Sequence, residues 1–294
     1  MITVDLINSE PPKRKPEWLK VRLPSGESYE NVLGEVRRLQ LHTVCQEAMC
    51  PNLAECWGAG TATIMILGDT CTRGCRFCNV KTGSPKGEVD WLEPKRVAQA
   101  VAELGWKYLV LTAVDRDDLA DGGAAIFANT VRAIHKRVPA AKVECLTGDF
   151  AGDLAALDIV LDARPEVLAH NLETVARLQS TVRDRRASYK QSLSILEHAK
   201  KSGKVTYTKT SLMLGLGETE EEIERAMDDA RSIGVDIFTM GQYLQPTKRH
   251  LNVEEFVTPE KFARLKSFGE AKGFVHVVSS PLSRSSYHAE QAFT

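Results

Sequence analysis

The chain alternates short apolar runs with longer stretches in which apolar residues recur at every third or fourth position. Residues 63–67 form the first short run, and the stretch 94–104 follows it with apolar residues on one face. This pattern predicts a buried strand and then an amphipathic helix, which ends at Gly105 because glycine suits the position after a helix. Residues 108–111 are the next predicted strand.

The same unit recurs further along the chain. Ser188 and Thr219 are each followed three residues later by Gln or Glu, which is the spacing of a capping box at a helix start. Gly203 and Gly234 mark the ends of these two helices. The strands predicted after them span 205–214 and 236–240. Strands that alternate with helices through short connections predict a parallel sheet.

About six such units fit between residues 61 and 280, since one α/β barrel runs to roughly 200–250 residues. The predicted fold class is therefore α/β, with a partial (β/α)6 barrel of the TIM type that is open on one side. A doubly wound open sheet is the alternative. In either architecture, ligands bind at the carboxyl ends of the strands.

Extensions are predicted at both ends of the barrel. Residues 1–60 are expected to form an irregular N-terminal extension, because breakers such as Pro16 and Pro24 interrupt every pattern there. The barrel itself is predicted over 61–280, and residues 281–294 form a C-terminal tail.

Composition narrows the function classes. The chain has 38 Lys and Arg against 39 Asp and Glu, so no basic excess points to nucleic acid or a membrane surface. No apolar run approaches the roughly 20 residues that a spanning helix needs, and the first residues lack the pattern of a secretory signal. We therefore expect a cytoplasmic protein that binds neither nucleic acid nor membrane.

Cysteines are concentrated in one part of the chain. Six of the seven fall between Cys45 and Cys78, and in a chain of this size such a concentration favours metal binding over disulfides. The seventh, Cys145, stands in a predicted strand and is interpreted as a core thiol.

The first trio, Cys71, Cys75 and Cys78, has C-x3-C-x2-C spacing and directly follows the first strand. Thiolates select iron–sulfur clusters or zinc, and zinc sites usually have four ligands in paired C-x2-C halves, which this trio lacks. Three ligands on a four-iron cluster leave one iron open. An amine and a carboxylate can bind there, and S-adenosylmethionine (SAM) offers both.

The second trio, Cys45, Cys50 and Cys56, lies upstream with C-x4-C-x5-C spacing. A second cluster on it needs a fourth ligand from elsewhere or has an open iron. Three core cysteines in a helix are the alternative interpretation.

The first trio, with Phe77 before its last cysteine, resembles the radical SAM superfamily. The second trio, with its C-P-N-x-x-E-C run over 50–56, and the tail Arg284-Ser285-Ser286-Tyr287 are similar to the lipoyl synthase family. The resemblance covers nearly the whole chain, with further motifs at 14–18, 114–118, 170–174 and 241–246. The chain departs from the family pattern at Ala113, where serine is expected, and at Thr147-Gly148, where an apolar residue and proline are expected.

The resemblance implies two 4Fe-4S clusters and SAM. The first trio's cluster would cleave SAM to methionine and a 5′-deoxyadenosyl radical, which removes hydrogen from C6 of an octanoyl chain on a carrier-domain lysine. A second SAM would repeat the step at C8. The auxiliary cluster, held by the second trio and a serine oxygen, would donate both sulfur atoms and come apart. Ser286 takes that role here, with Ser285 as the alternative.

Partners also follow from the resemblance. It implies octanoylated lipoyl carrier domains (2-oxoacid dehydrogenase E2 subunits and the glycine cleavage H protein), an electron donor such as flavodoxin or ferredoxin, and an iron–sulfur carrier for cluster repair. Two basic stretches, 183–186 and 200–204, are interpreted first as a solvated surface, and contact with an acidic carrier face is the alternative.

Polar residues near the predicted strand ends are candidates for contacts to SAM, which presents ribose hydroxyls and a charged amino-acid end. Polar residues of a solvated loop or of a barrel layer are the alternative. The candidates are Thr112, Asp115, Asn171, Glu173, Lys209 and Ser211.

Three other functions stay open. One is a different sulfur-inserting radical SAM enzyme, such as a relative of biotin synthase, although the second trio and the tail argue against it. Another is a ferredoxin-like electron carrier, which has no need of a 200-residue α/β body. The third is a zinc-stabilised nucleic-acid module, which the net charge of −1 does not favour.

Overall fold

A computed structural model describes residues 14–21, 26–58 and 62–286 of the chain. The strands in these residues are β1 (His42–Thr43), β2 (Thr63–Ile66), β3 (Thr70–Cys71), β4 (Lys81–Thr82), β5 (Tyr108–Ala113), β6 (Lys142–Leu146), β7 (Val167–Ala169), β8 (Tyr207–Leu214), β9 (Ile237–Gln242) and β10 (His276–Ser279). The helices are α1 (Glu27–Arg38), α2 (Val44–Glu47), α3 (Leu53–Gly58), α4 (Glu93–Glu103), α5 (Ala124–Arg137), α6 (Leu154–Leu161), α7 (Gln179–Val182), α8 (Tyr189–Ser202), α9 (Glu220–Ser232) and α10 (Pro259–Ala271).

The main sheet has eight strands in the order β1-β2-β5-β6-β7-β8-β9-β10. Strand β1 pairs with β2 antiparallel, and every other neighbouring pair is parallel. The two edge strands, β1 and β10, do not pair with each other. The expected α/β fold with a partial, open barrel is therefore confirmed, and β10 adds a seventh parallel strand to the six units predicted.

Helix boundaries follow the predicted signals closely. Ser188 Oγ accepts a hydrogen bond from the Gln191 backbone N–H at 3.2 Å, and the helix ends at Gly203 with a left-handed φ of 62°. At Thr219 both halves of a capping box form with Glu222. Each such cap satisfies backbone donors that the first turn leaves unpaired, and contributes about 1 kcal/mol.

Apolar side chains pack the helices onto the outer face of the sheet. In one cluster, Val101 of α4 and Phe127 of α5 meet the side chains of β2 and β5, and Cys145 is fully buried there as a core thiol. A second cluster is built around Phe238 of β9 and Phe262 of α10. Each buried side chain of this size stabilises the fold by roughly 1.5–3 kcal/mol.

The N-terminal extension is more regular than expected. Helix α1 buries Val32 and Val36, and Tyr29 on the same helix stacks on Trp57 of α3 with ring centroids 5.3 Å apart. The prediction of an irregular chain is wrong for this stretch. Apolar residues at 29, 32, 33 and 36 carry the helical period, and the charged residues and the glycine between them obscured it.

Candidate active site

A cavity of about 440 Å³ lies at the carboxyl ends of the parallel strands, where the barrel architecture predicts the site. We call it the main cavity. The loops that follow β2, β5, β6, β7 and β9 contribute to its walls, and so do Ser211, Leu212 and Met213 of β8 itself. Lys15 and Met49 also line it, and because both are exposed they mark its mouth.

Most of the residues predicted from the sequence come together in the main cavity. Both trios reach it, and so does the tail. The predicted residues among its lining are Cys45, Cys50, Cys71, Cys75, Cys78, Thr112, Asp115, Asn171, Glu173, Ser211, Ser285 and Ser286. Tyr287, the last residue of the tail motif, lies outside the described residues.

Two predicted residues do not line the main cavity. Cys56, on α3, is half-buried against the hydrophobic core. Lys209 is buried inside the barrel, where its Nζ lies 3.0 Å from both carboxylate oxygens of Glu144. It precedes Ser211 by two residues on β8, so it faces the same side of the sheet one step farther from the carboxyl end. The ion pair with Glu144 is the contact that the structure gives Lys209, and its contact to SAM stays a prediction.

The loop of the first trio is anchored by a buried arginine. The guanidinium of Arg73 lies 2.7 Å from Asp117 and 2.7 Å from Asp149, and 3.8 Å from Asp115. Burial opposes its charge, but the hydrogen bonds with Asp117 and Asp149 outweigh burial, and the pKa of Arg73 lies above its ordinary value. Removing one partner from such a buried pair costs about 3–5 kcal/mol, so the loop is held firmly.

The segment after α7 braces the same loop from the other side. The Gly74 N–H donates to Asp184 Oδ2 at 2.9 Å, and the Asp184 N–H donates to Cys75 Sγ at 3.3 Å. Arg186 donates to the Thr72 carbonyl at 2.7 Å. Arg186 of the basic stretch 183–186 thus supports the loop of the first trio, and its charge is paired with Asp117 and Asp184 within the chain.

The second basic stretch is neutralised within the chain. The ammonium groups of Lys200, Lys201 and Lys204 pair with carboxylates of the chain, at distances of 2.6, 2.5 and 2.6 Å. The exposed pairs of Lys201 and Lys204 contribute only about 0–1 kcal/mol to stability, whereas the partner of Lys200, Asp236, is buried. The three pairs nevertheless leave this stretch with little uncompensated positive charge for a partner.

The tail is seated across the end of β9. The Gln242 N–H donates to the Pro281 carbonyl at 3.2 Å, and Asn52 Nδ2, beside the second trio, donates to the Leu282 carbonyl at 2.7 Å. A Cβ atom at Gly241 would lie 1.9 Å from the Ser283 carbonyl oxygen. Only glycine permits this approach, which brings the tail serines to the main cavity beside Cys50.

Two further side chains that the sequence analysis missed connect the cysteine segments. Asn79 Nδ2 donates to the Glu47 carbonyl at 2.9 Å, which links the first trio's loop to the second trio's helix. His250 Nε2 lies 3.0 Å from the Cys78 carbonyl. Both residues recognise backbone carbonyls, and such contacts leave no spacing or residue type in the sequence that could reveal them.

The thiols are in environments that favour their neutral form until a cation is present. Burial raises the pKa of Cys75 to about 11 and of Cys78 to about 12, and it also raises the pKa values of Cys45, Cys50 and Cys71. Metal binding must therefore displace protons from these sulfurs. Buried soft sulfur donors of this kind fit iron–sulfur clusters.

The same cysteine segments offer no compact single-ion site. Over 14–21, 26–58 and 62–286, no three His, Cys, Asp or Glu side chains are placed to hold one metal ion. A single zinc ion has its sulfur ligands about 2.3 Å from itself, and the described side chains are not grouped closely enough to supply three such ligands.

Three buried polar atoms along the main cavity have no hydrogen-bond partner within the described chain. They are Thr147 Oγ1, Asn171 Oδ1 and Thr239 Oγ1. An unpaired buried polar group costs about 1–3 kcal/mol, so a polar ligand in the cavity would relieve that cost. Thr147 and Thr239 were not predicted as site residues, because threonine within a strand pattern is indistinguishable from an ordinary strand former.

Glu173 and His170 show the electrostatic character of the cavity wall. Glu173 adopts a left-handed backbone with a φ of 65°, a strained conformation that is concentrated at functional sites, and burial raises the pKa of its carboxyl. Burial lowers the pKa of His170 to about 4, and its ring nitrogens lie 2.8 Å from the Thr147 carbonyl and 2.8 Å from Ser192 Oγ. His170 is thus neutral at pH 7, and its two hydrogen bonds hold this part of the cavity wall in place. Burial also raises the pKa of Asp115, to about 6.

Two protein-family models match this chain. The family model of the radical SAM superfamily matches residues 65–230, and the model of the N-terminal domain of lipoyl synthase matches residues 3–50. A lipoyl synthase of Thermus thermophilus is 59% identical over 281 residues, which cover 96% of this chain and 87% of the relative. One of Myxococcus xanthus is 55% identical, covering 95% and 94%, and "Lipoyl synthase 2, chloroplastic" of Populus trichocarpa is 57% identical, covering 96% and 72%.

Solved structures resemble the chain in fold. Methylornithine synthase matches with a TM-score of 0.54 at 13% identity, over 91% of this chain and 84% of that one. Coproporphyrinogen III oxidase from Escherichia coli, described as a radical SAM enzyme, matches with a TM-score of 0.55 at 16% identity, over 71% and 52%. In the described residues, no helix is both long and apolar enough to cross a membrane.

Proposed function

The chain belongs to the lipoyl synthase family of the radical SAM superfamily, and on that basis we propose that it inserts two sulfur atoms, at C6 and C8, into an octanoyl chain bound to a lysine of a carrier domain. The first trio would hold the 4Fe-4S cluster that binds SAM. The second trio and Ser286, with Ser285 as the alternative, would hold the auxiliary 4Fe-4S cluster.

One observation carries this proposal: residues of both trios and both tail serines line a single cavity. An electron carrier needs a cluster near the surface but no cavity for an organic substrate. Transfer of sulfur from a donor to a carbon chain requires the cysteines of both trios to line the same cavity. The sulfur donor and the carbon radical must meet in one enclosed space. When bound, the first cluster would supply the electron that cleaves SAM, and the second would supply sulfide.

The chain's own residues bind, orient and shield the reactants. Asn171, Glu173, Thr147 and Thr239 present polar groups to the space beside the first trio and are suited to the hydroxyl and amino-acid groups of SAM. Thr112, Asp115 and Ser211 line the same space. Arg73 and Asp184 keep the cluster loop in place, and hence fix the position of any ligand on it.

The apolar residues among its lining make the same cavity suited to the octanoyl chain. Phe77, Leu146, Leu212 and Met213 line it, and each methylene that they take from water contributes about 0.8 kcal/mol. The acyl–lysine arm would enter at the mouth marked by Lys15 and Met49. Exclusion of water there protects a carbon radical from side reactions.

We test the two cluster assignments by iron content and product analysis. Anaerobically reconstituted protein is expected to bind about eight irons, as two four-iron clusters require. Changing all three cysteines of the first trio to alanine should abolish 5′-deoxyadenosine formation. Changing all three of the second trio should leave SAM cleavage and stop sulfur insertion. Lipoyl product from that second variant, read by mass spectrometry of an octanoylated carrier, would disprove the donor assignment.

Cys145 supplies a matched control for these cysteine changes. It is fully buried in the core and does not line the main cavity. Cys145→Ala should keep both clusters and product formation, apart from a stability loss of about 1–2 kcal/mol from the small void. A loss of iron in this variant would mean that cysteine replacement acts through folding.

Partners and location follow from the same proposal. The carriers would be E2 subunits of 2-oxoacid dehydrogenases and the glycine cleavage H protein, with flavodoxin or ferredoxin as electron donor and an iron–sulfur carrier for repair. Turnover with purified candidates, each omitted in turn, tests these roles. The cytoplasm is the proposed compartment, with the chloroplast named for the poplar relative as the alternative, and cell fractionation decides between them.

A further inference from the structure

The proposed reaction makes a demand on the shape of the site. Two C–H bonds on one octanoyl chain must be broken, and each break consumes one SAM, so two SAM molecules enter and two sets of products leave for each carrier. The carrier is a folded domain whose acyl–lysine arm fills the mouth of the main cavity. Exchange of SAM through the same mouth would require the carrier to dissociate between the two steps.

A second, smaller cavity adjoins the main one. It has a volume of about 280 Å³ and is lined by residues that follow β5 and β6, and we call it the side cavity. Leu119, Phe127 and Phe150 give it an apolar side. Asp117, Ala120, Ala151 and Asp153, which also line it, are exposed to solvent, so the side cavity opens at the protein surface. Methionine and a nucleoside both combine polar groups with an apolar part, as this lining does.

The two cavities share one wall. Its members line both spaces and are Arg73, Ala113, Val114, Asp115 and Gly148. Arg73 is fixed by its short contacts to Asp117 and Asp149, whereas the carboxylate of Asp115 has only the 3.8 Å contact with Arg73 as an ion pair within the described residues. Asp115 is therefore the member of the wall that can turn aside most easily.

Gly148 gives Asp115 the space that it occupies. A Cβ atom at residue 148 would lie 2.3 Å from Asp115 Oδ1, so the carboxylate stands where any other residue would place a side chain. This is one of the positions at which the chain departs from the family pattern, in which proline is expected. The carboxylate of Asp115 thus forms part of the wall between the two cavities at this point.

We propose that the side cavity is a second entrance, through which SAM, methionine and 5′-deoxyadenosine pass while a carrier domain covers the main mouth, with Asp115 as the movable part of the wall. This inference rests on the proposed function, because only a reaction with two SAM molecules and a covering carrier needs it. It adds a ligand route that the cysteine motifs do not reveal.

A substitution that narrows the side cavity tests the route. Ala120 is exposed, lines only the side cavity and lies in a turn closed by the Gly122 N–H to Leu119 carbonyl hydrogen bond, so Ala120→Trp fills the passage without touching the main cavity. Ala140→Trp, at an exposed turn before β6 and at the opposite end of the sheet, is the matched control. Each variant is assayed with an octanoylated carrier domain and with a short octanoyl-lysine peptide, which leaves the main mouth open.

With the carrier domain, Ala120→Trp should form the singly sulfurated intermediate at the normal rate and slow the second insertion about tenfold or more, since ligand exchange then limits turnover. With the peptide, both insertions should stay within about twofold of the unmodified protein. An equal slowing with both substrates, or none with either, overturns the route. Lipoyl product from the unmodified protein is measured in the same experiment, so a failure of the proposed function is seen separately.

A binding measurement checks the route without catalysis. Labelled SAM is mixed with enzyme in the absence of reductant, either free or already bound to the octanoylated carrier domain. Ala120→Trp should slow SAM association with the carrier-bound enzyme about tenfold and leave association with the free enzyme unchanged. Equal association rates for Ala120→Trp and Ala140→Trp on the carrier-bound enzyme would refute the proposal.

Discussion

Replacing Gly241 by alanine is expected to unseat the tail and with it the auxiliary cluster. The added methyl would lie 1.9 Å from the Ser283 carbonyl oxygen and 2.9 Å from its carbonyl carbon. Ordinary van der Waals contact with a Cβ atom begins at 3.4 Å. The Ser283 carbonyl oxygen, at 1.9 Å, must therefore move away by about 1.5 Å, and the tail backbone must move with it. Both are backbone atoms, so no side-chain rotation relieves the clash.

That retreat weakens two hydrogen bonds, from the Gln242 N–H to Pro281 and from Asn52 to Leu282. At about 0.5–1.5 kcal/mol each, their loss amounts to about 1–3 kcal/mol. For a chain of this size that lowers the melting temperature by about 2–12 °C, at about 2–4 °C per kcal/mol. The fold should therefore survive, while the tail serines move away from the second trio.

The assay compares iron content, SAM cleavage and product in one preparation. Gly241→Ala should lose about half of the bound iron and most lipoyl product, about tenfold or more, and keep 5′-deoxyadenosine formation within about twofold. Gly34→Ala is the control, because a Cβ atom there meets nothing within 4 Å and alanine is favoured within a helix by about 0.5–1 kcal/mol. Full iron and normal product in Gly241→Ala would refute the reasoning about the tail.

Three further predictions follow from the site. Arg73→Met leaves the buried Asp149 without its ion-pair partner, while Asp117 keeps Arg186 at 3.2 Å. It should therefore cost about 3–5 kcal/mol and release the first cluster, as measured by thermal unfolding and cluster absorbance; an unchanged melting temperature would contradict this. The pKa of His170 lies below its ordinary value, so the unfolded chain takes up a proton first and stability falls with pH below about 6.5, by about 1.4 kcal/mol at pH 5.5. His170→Asn should reduce the difference between the free energies of unfolding at pH 7.5 and 5.5. An equally large difference in this variant would mean that another group causes the pH dependence. Glu173→Gln should raise the SAM dissociation constant about tenfold, or about 1.4 kcal/mol, in equilibrium binding, and an unchanged constant would remove Glu173 from the SAM contacts.

Local signals in the sequence predicted the elements that carry them. Helices α4, α8 and α9 were predicted to within a residue or two because caps and glycines act over three or four positions. The first trio was placed at the ligand-binding end because it directly follows a strand. Helix α1 was missed because a short apolar stripe is a weak signal among charged residues.

Contacts between distant parts of the chain were beyond prediction. Arg73 pairs with Asp117, 44 residues away, and nothing in either neighbourhood marks the pair. Lys209 was expected at the site because the two-residue period of a strand gives the face of the sheet but not the depth along it. Ser285 and Ser286 were connected to the second trio only through the family resemblance, since their approach depends on the bare backbone of Gly241.

The incomplete closure of the barrel has a mechanical consequence. Strand β1 leads directly to Cys45, and β10 leads to the tail serines. The auxiliary cluster would therefore connect the two free edges of the sheet. On the proposed chemistry the auxiliary cluster is consumed in each reaction. The Asn52–Leu282 hydrogen bond then remains between the segment that follows β1 and the tail that follows β10. On that proposal, completing the product would loosen the protein where a new cluster has to be installed.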